Sequence, residues 1–522
     1  MSVVAGVSNT ALLAIVNGAA EHIKDGRPQL TSVALFVVIL LAYIYSQRYV
    51  LLTTSAEVER MVHHHRERLI GQLNKCELQA VEHIGRGPIF AAISSDTHSI
   101  SQTANGLVIG AQSGILLVFA GIYLAMISLT SLVICATTMT VTAGVYLYKM
   151  QRVNAEIHAA TDEENKLHDL LSGMLDGFKE VKLSSQRAAA VLADFVLVSY
   201  RTATCHIVAQ QDFGRNLIFV QAAFLLQLGM LVFVTPLLGS AYSGTVMASM
   251  ATVIFIFGPI SGLVAAVPQV AIANAAAENL YQLEQLLEAS IRENKGGATE
   301  SAPPVSTVLE ILALQRVFYS YVVEGGRFDV GPINLSIRAG ETVFITGGNG
   351  SGKSTLIKLL TGLYSPISGE LLVNDVLVSS DNAQAFRDRF CAVFSDFHLF
   401  RKLYGIPVPE VGVADNWLEE MEIASKTRIV GEGFSTIDLS AGQRKRVALI
   451  AAMLENKPIV ILDEWAADQD PHFRRKFYEE LLPRMKAEGK TVIAVTHDDR
   501  YFQLADRRLH MEDGQLYDLA VT

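Results

Sequence analysis

Gly347-Gly348-Asn349-Gly350-Ser351-Gly352-Lys353-Ser354 decides how this 522-residue chain is read. The octapeptide fits G-x-x-x-x-G-K-[ST]. An apolar strand-like run, Thr342–Thr346, leads into it, and a helix-like run, Thr355–Leu360, leads out. Glycines in such a loop let backbone amides face phosphate oxygens without side-chain interference, and the helix N-terminus adds a favourable dipole. Lys353 would meet the β- and γ-phosphates of a nucleoside triphosphate, and the Ser354 hydroxyl would hold Mg2+. A chance Gly-rich turn does not account for the strand–loop–helix order.

Three further stretches fall into line with the loop. Ile459-Val460-Ile461-Leu462-Asp463-Glu464 reads as a buried strand ending in two acids. Asp463 is placed to hold Mg2+ through water, and Glu464 to orient or deprotonate an attacking water. His497 follows another strand-like run, Thr491–Thr496, where it could bond a γ-phosphate and register its loss. Leu439-Ser440-Ala441-Gly442-Gln443 precedes a helical run, Arg444–Leu454, so Ser440 and the Gly442 amide would complement a γ-phosphate at that helix N-terminus. Upstream of the loop, Tyr321 sits where an aromatic could stack on adenine. Core packing is the plainer reading of that ring, and Tyr319 is its rival.

Composition separates the two halves. Half of the residues are hydrophobic (50%) and only 18% are charged, against about 25% charged in an average soluble domain. The apolar excess lies before residue 275. A bilayer core of about 30 Å needs roughly 20 apolar residues in a helix. Candidate spans are residues 3–20, 30–52, 104–128, 129–150, 217–238 and 245–267. The first is short and starts almost at Met1, so it reads either as the trimmed first helix of a six-helix plan or as the partial span of a five-and-a-half-span protein; no basic n-region announces a cleaved signal peptide. The net charge of −10, with no basic tail or stripe, argues against nucleic acid as a partner. Cys76, Cys135, Cys205 and Cys391 form no CxxC and read as separate thiols. His63-His64-His65 diverge by about 100° per residue on a helix and share no face, so a solvated helix is favoured there over a metal site.

Loops 53–103 and 151–216 carry most of the Lys and Arg between spans, including Arg60, Arg66, Arg68, Lys179 and Lys182, which places them on the cytoplasmic side with the nucleotide loop. Residues 151–216 read as two helical arms of about 30 residues, each roughly 45 Å long. The bends near Gly85–Gly87 and Asp176–Lys182 are candidates for touching the ATPase. Residues 291–304, rich in Gly and Pro, read as a linker. The expected domains are therefore 1–290, a multi-pass α-helical transmembrane domain, and 305–522, an α/β P-loop domain with an open sheet. Gln112, Gln221, Gln227 and Gln269 lie in or beside spans. Each reads first as ordinary helix–helix bonding, and second as part of a site for neutral or amphipathic cargo.

With loop, pentapeptide, acid pair and histidine in this order, nearly the whole chain resembles the half-transporters of the ABC exporter family. That resemblance implies a transmembrane domain of ABC exporter type fused to an ABC nucleotide-binding domain. It implies a homodimer that sandwiches two ATP molecules, each between one chain's P-loop and the other's Ser440. The nucleotide-binding set is then Tyr321, Gly347, Asn349, Gly350, Gly352, Lys353, Ser354, Thr355, Ser395, Ser440, Gly442 and Gln443. Ser354 and Asp463 serve Mg2+, and Glu464 and His497 are catalytic. Two departures narrow the resemblance. Ser395 stands where the family usually has Gln in the loop that couples γ-phosphate to the membrane part. Trp465-Ala466-Ala467-Asp468-Gln469-Asp470-Pro471 replaces a Pro or Ala followed by Ser-Ala-Leu-Asp. Phe394–Phe400 (FSDFHLF), DEWAADQDP and THDDRYF together resemble bacterial cyclic-peptide exporters of the syringomycin, pyoverdine and lasso-microcin type. A peptide-like cargo and a place in the bacterial inner membrane follow from that likeness.

Three rivals stand beside this reading. A lipid or hydrophobic-drug exporter shares every motor motif. A soluble ABC ATPase acting on DNA or ribosomes conflicts with the apolar spans. A membrane-bound ATP sensor conflicts with an intact Lys353, Asp463, Glu464 and His497.

Overall fold

The computed structural model describes residues 1–23, 30–235, 246–295, 309–323, 326–409 and 412–519. The expected loop 239–244, and most of the loop 21–29 and of the linker 291–304, lie outside the described residues. The chain divides into two compact units: Met1–Gly71 with Gly87–Glu284, and Gln72–Arg86 with Gln285–Thr522.

The first unit is built from long helices. In chain order they are α1 (Ser2–Ile23), α2 (Leu30–Leu73), α3 (Leu78–Ile84, which belongs to the second unit), α4 (Arg86–Phe90), a π-helical turn (Ala91–Asp96), α5 (Thr97–Ile127), α6 (Leu129–Asp176), α7 (Phe178–Leu183), α8 (Ser185–Phe233) and α9 (Val246–Lys295). Among the described residues, six helices are long and apolar enough to cross a membrane. Their length explains the polar segments between the apolar stretches: α2 meets no Gly or Pro before Gly71 and runs for 44 residues, about 66 Å at 1.5 Å per residue. That is twice a bilayer core, so residues 53–73 continue a spanning helix. The 151–216 arms are likewise the ends of α6 and α8. Ser128 caps α6 by accepting from the Ser131 amide, and Ser184 caps α8 by accepting from the Arg187 amide. Beyond the apolar stretches, the Thr202 hydroxyl bonds the Glu163 carbonyl at 3.3 Å, tying α8 to α6.

Small residues let α5 and α9 approach closely, as membrane helices commonly do. A Cβ added at Gly110 would lie 2.4 Å from the Ala266 Cβ, and one at Gly262 would lie 2.6 Å from the Ser113 Oγ. Large apolar side chains such as Val38, Leu41, Val118 and Leu225 are exposed. That is the surface a lipid phase accepts and water does not.

The second unit holds two main sheets. Its strands are β1 (Ile311–Val323), β2 (Gly326–Arg338), β3 (Thr342–Gly347), β4 (Ser368–Val373), β5 (Val376–Leu377), β6 (Phe390–Val393), β7 (Ile429–Val430), β8 (Gly433–Phe434), β9 (Ile459–Asp463), β10 (Thr491–Val495), β11 (Arg507–Glu512) and β12 (Gln515–Leu519). A six-stranded sheet runs β12-β11-β3-β10-β9-β6, and a four-stranded sheet runs β2-β1-β4-β5. In the first, β11, β3, β10, β9 and β6 are parallel and β12 is antiparallel at the edge. Every residue of β3, β9 and β10 is buried, as expected of parallel strands covered on both faces. Side chains alternate between two cores: Phe344, Val460, Leu462, Val492 and Ala494 enter one, and Val343, Ile345, Ile459, Ile461, Ile493 and Val495 the other. This is the period-two geometry of a strand. The helices around the sheets are α10 (Lys353–Leu360), α11 (Ala383–Arg387), α12 (Val413–Glu420), α13 (Ala441–Leu454), α14 (Pro471–Lys476) and α15 (Leu482–Ala487).

Candidate active site

Parallel pairing puts the ends of β3, β9 and β10 side by side, with Val495 opposite both Ile345 and Asp463. Ligands of open α/β sheets bind beyond such strand ends. The loop Gly347–Ser354 leaves β3, the acid pair ends β9, and His497 follows β10. The backbone of the loop depends on glycine: Gly347 has φ 145 and Gly352, which caps α10, has φ 102. A Cβ at Gly347 would lie 2.2 Å from the Met511 carbonyl oxygen. Lys353 is buried, and its ammonium donates to the carbonyls of Gly347 and Gly348 at 3.0 and 2.8 Å. Ser351 Oγ is buried without a partner, which suits a loop built to receive further polar oxygens.

Asp463 is 4% exposed. Burial raises its carboxyl above the usual carboxylate range, against the opposing pull of hydrogen bonds from Ser395. One of these is the Ser395 amide, 3.4 Å from Asp463 Oδ2. Ser395, in the turn after β6, is thus placed on the carboxylate beside the loop despite its short side chain. The carboxylate of Asp463 and the hydroxyl of Ser354 are the hard oxygen donors that Mg2+ prefers, so these residues fit that ion. Glu464 has the left-handed backbone φ 49, ψ 34. Such strain in a non-glycine residue clusters at functional sites. Its Oε1 lies 3.3 Å from His497 Nε2.

His497 is held by neighbours that sequence reasoning did not single out. Tyr478 Oη lies 2.6 Å from Thr496 Oγ1 and donates to Asp498 Oδ2 at 3.0 Å, while Arg474 pairs with Asp498 at 3.2 Å. The residues on both sides of His497 are therefore anchored. No short motif links positions 474, 478 and 498, so only the fold reveals the set.

The pentapeptide lies at the start of α13. Ser440 is exposed and closes a capping box with Gln443: the Gln443 amide donates to Ser440 Oγ at 3.4 Å and Gln443 Oε1 accepts from the Ser440 amide at 3.2 Å. The helix begins at Ala441, three residues before the sequence pattern suggests, because this box caps it. Trp465, also unassigned by sequence, is buried and donates its indole N–H to the Lys445 carbonyl at 2.8 Å.

The two tyrosines before the loop differ in burial and bonding. Tyr319 is 9% exposed, packs on Tyr364 with ring centroids 5.1 Å apart, and its hydroxyl accepts from Gln79 at 2.9 Å. Tyr321 is half-buried beside Phe328 and is the ring still available. The Gln79 bond belongs to a wider contact. Glu82 on α3 bonds Lys358 at 2.9 Å and Tyr364 at 2.5 Å, and Glu77 pairs with Arg387. The bend before Gly85 is therefore joined to the ATPase unit. The second bend, α7, is described within the first unit, with Phe178 and Leu183 exposed.

The glutamines of the spans are not brought together. Gln47 donates to Gln112 at 3.1 Å, Gln221 is exposed, and Gln269 lies against Gly106. Gln227 lines an apolar cavity of about 180 Å³ with Tyr146, Phe224 and Val264. His63, His64 and His65 are exposed along α2.

A phosphate loop, acid pair and histidine beyond the ends of adjacent parallel strands, on a chain whose described residues include six membrane-length helices, define a membrane transport ATPase. The family model described as "ABC transporter" matches residues 330–467. The chain is 32% identical to "ATP-binding protein SyrD" of Pseudomonas syringae pv. syringae, over 97% of this chain and 91% of that protein. It is 28% identical to the "Beta-(1-->2)glucan export ATP-binding/permease protein NdvA" of Bartonella bacilliformis, over 47% of this chain and 42% of that one. Among solved structures, a bacterial Atm1-family ABC exporter with ATP bound superposes with a TM-score of 0.77 at 18% identity, covering 99% of this chain and 92% of that chain. The chain belongs to the ABC transporter family, as an exporter half-transporter with a multi-pass helical part and a C-terminal ABC ATPase domain.

Proposed function

We propose that two copies of this chain form a homodimer in the bacterial inner membrane and use ATP to export a cyclic peptide or related peptide-like molecule. The observation that carries the motor half of this reading is the meeting of Lys353, Asp463, Glu464 and His497 beyond the ends of the adjacent strands β3, β9 and β10. In it, Lys353 and the amides of Gly347, Asn349, Gly350, Gly352 and Thr355 bind the phosphates, and Tyr321 stacks on the adenine. Glu464 takes the proton of the attacking water, and His497 bonds the γ-phosphate and orients Glu464. Ser354 and Asp463 would hold Mg2+, with Ser395 steadying Asp463; the ion would supply charge neutralisation at the phosphates. Ser440, exposed at the start of α13, and the Gly442 amide act with Gln443 on the ATP of the second copy. Closing that sandwich draws the ends of α2, α6 and α8 together and opens the membrane cavity outward. Hydrolysis resets it.

The peptide half rests on FSDFHLF, DEWAADQDP and THDDRYF, and on near full-length similarity to SyrD. The test is transport in reconstituted vesicles of candidate cyclic peptides and of lipids, each against the Glu464→Gln protein. ATP-dependent uptake of a peptide supports the reading; movement of lipids alone overturns it. One observation favours a lipid or hydrophobic-drug exporter as a second reading. The cavity near Gln227 is lined almost wholly by apolar side chains.

A further inference from the structure

The segment after the acid pair, already a departure from the resembled pattern, carries a buried polar residue, Gln469. Gln469 is 4% exposed, and both ends of its amide are used. Its Oε1 accepts from Arg446 Nε at 2.8 Å, and its Nε2 donates to the Gly442 carbonyl at 3.1 Å. Gly442 has no room to spare: a Cβ there would lie 2.7 Å from the Asp468 carbonyl oxygen. The pentapeptide turn and the segment leaving Glu464 therefore pack backbone to backbone.

Other ties join the same two segments deeper in α13. Lys445 Nζ bonds the Glu464 carbonyl and the Asp468 carboxylate, both at 2.8 Å, and Arg446 pairs with Asp470 at 2.6 Å. Gln469 differs from them in bonding the main chain of the turn itself.

We infer that Gln469 is a positioning residue for ATP hydrolysis. It fixes the Ser440–Gln443 turn to the segment that follows Glu464. One chain's catalytic acid and the turn it offers to its partner's ATP then move as one body. The inference rests on the shared-site reading above. Through this link, seating Ser440 on one ATP adjusts the acid at the other.

Two substitutions test it in the full-length protein reconstituted in vesicles. Gln469→Glu keeps an acceptor for Arg446 but sets a second acceptor against the Gly442 carbonyl. Gln469→Met keeps the length and loses both bonds. Both are expected to lower kcat, by up to about 100-fold, the cost of misplacing a reacting group by about 1 Å. Binding of a fluorescent ATP analogue should stay unchanged, and Tm should stay within about 3 °C. A wild-type kcat in the Glu variant overturns the inference. So does a parallel loss of Tm and nucleotide binding in both variants, which marks a packing role. If only the Glu variant fails to fold, the Met variant decides by its kcat. Ser440→Ala, measured alongside, separates the two ideas. A normal rate there sinks the shared site and the inference with it. A slow Ser440 variant beside normal Gln469 variants sinks the inference alone.

Discussion

His497 Nε2 stands 3.3 Å from Glu464 Oε1, although the two residues leave different strands of the same sheet. Adjacent parallel pairing of β9 and β10 produces this meeting. The half-buried acid is still open to water, while Thr496 and Asp498, on either side of the histidine, are both bonded to Tyr478. Glu464→Gln is expected to abolish turnover and retain ATP binding. His497→Ala should lower kcat by at least about 100-fold, the scale of a lost acid–base group. Phosphate release and equilibrium nucleotide binding are the two measurements. Unchanged phosphate release from the Glu464→Gln protein removes that residue from its role.

The contact of α3 with the ATPase unit predicts a different phenotype. Glu82 is half-exposed, and burial works against its carboxylate, but hydrogen bonds from Tyr364 and Lys358 more than offset that, so its pKa lies below the ordinary 4.5. For an acid lowered on folding, the stabilisation is present above the unfolded pKa and fades as pH falls through the folded value. Amide exchange in Leu78–Ile84, corrected for intrinsic rate, should therefore accelerate below about pH 4.5. At neutral pH, Glu77→Ala with Glu82→Ala should keep nucleotide binding and lose stimulation of hydrolysis by cargo. Full stimulation in the double variant would show that these two carboxylates carry no coupling.

How far the chain could be read from its letters depends on how local each feature is. Gly347–Ser354 was legible because its spacing, its preceding apolar run and its following helix lie within about twenty consecutive residues, the span of a strand–loop–helix unit. The apolar stretches were legible for the same reason. The length of α2 was harder, because the polar run after Leu52 reads as a loop until the absence of Gly and Pro is weighed. Glu77, Gln79 and Glu82 lie more than two hundred residues from Tyr319, Lys358, Tyr364 and Arg387, so no pattern could pair them. Tyr319 and Tyr321 share one face of β1, and only burial and the Gln79 bond distinguish them. Gln469 was visible as a departure, but its two bonds required the fold.

Cys391 offers a check on the ATPase core. Burial, helped by the negative charge of Glu455, pushes its thiol from an ordinary 9.0 up to about 12. An acid raised on folding contributes stability in full below its unfolded pKa and loses it as pH rises through the folded value. The core should therefore weaken between about pH 9 and 12, and Cys391→Ala should flatten that decline. Iodoacetamide at pH 8 should label Cys391 only after denaturation, since the reactive species is the thiolate. Half-buried Cys205 should react in the native protein. Rapid native labelling of Cys391 would contradict the sealed core between β6 and β9.

The exposed capping box of Ser440 and the buried ammonium of Lys353 lie on separate segments of one chain, and the shared-site reading makes them serve different ATP molecules. That has a consequence in mixed dimers. A Ser440→Arg chain paired with a Lys353→Ala chain puts both lesions at one composite site. That site joins the damaged loop of the second chain to the damaged turn of the first. The other site then keeps an intact loop and an intact turn. Homodimers of either variant have both sites damaged. If each chain used its own Ser440, the mixed dimer would instead have two damaged sites and no gain. Tagging the two variants differently and isolating the doubly tagged species gives a defined sample. Its nucleotide trapping by vanadate should approach half that of the unaltered dimer, while each parent homodimer traps little. A mixed dimer that traps no more than its parents would show that Ser440 does not act across the dimer, whatever its part in capping α13.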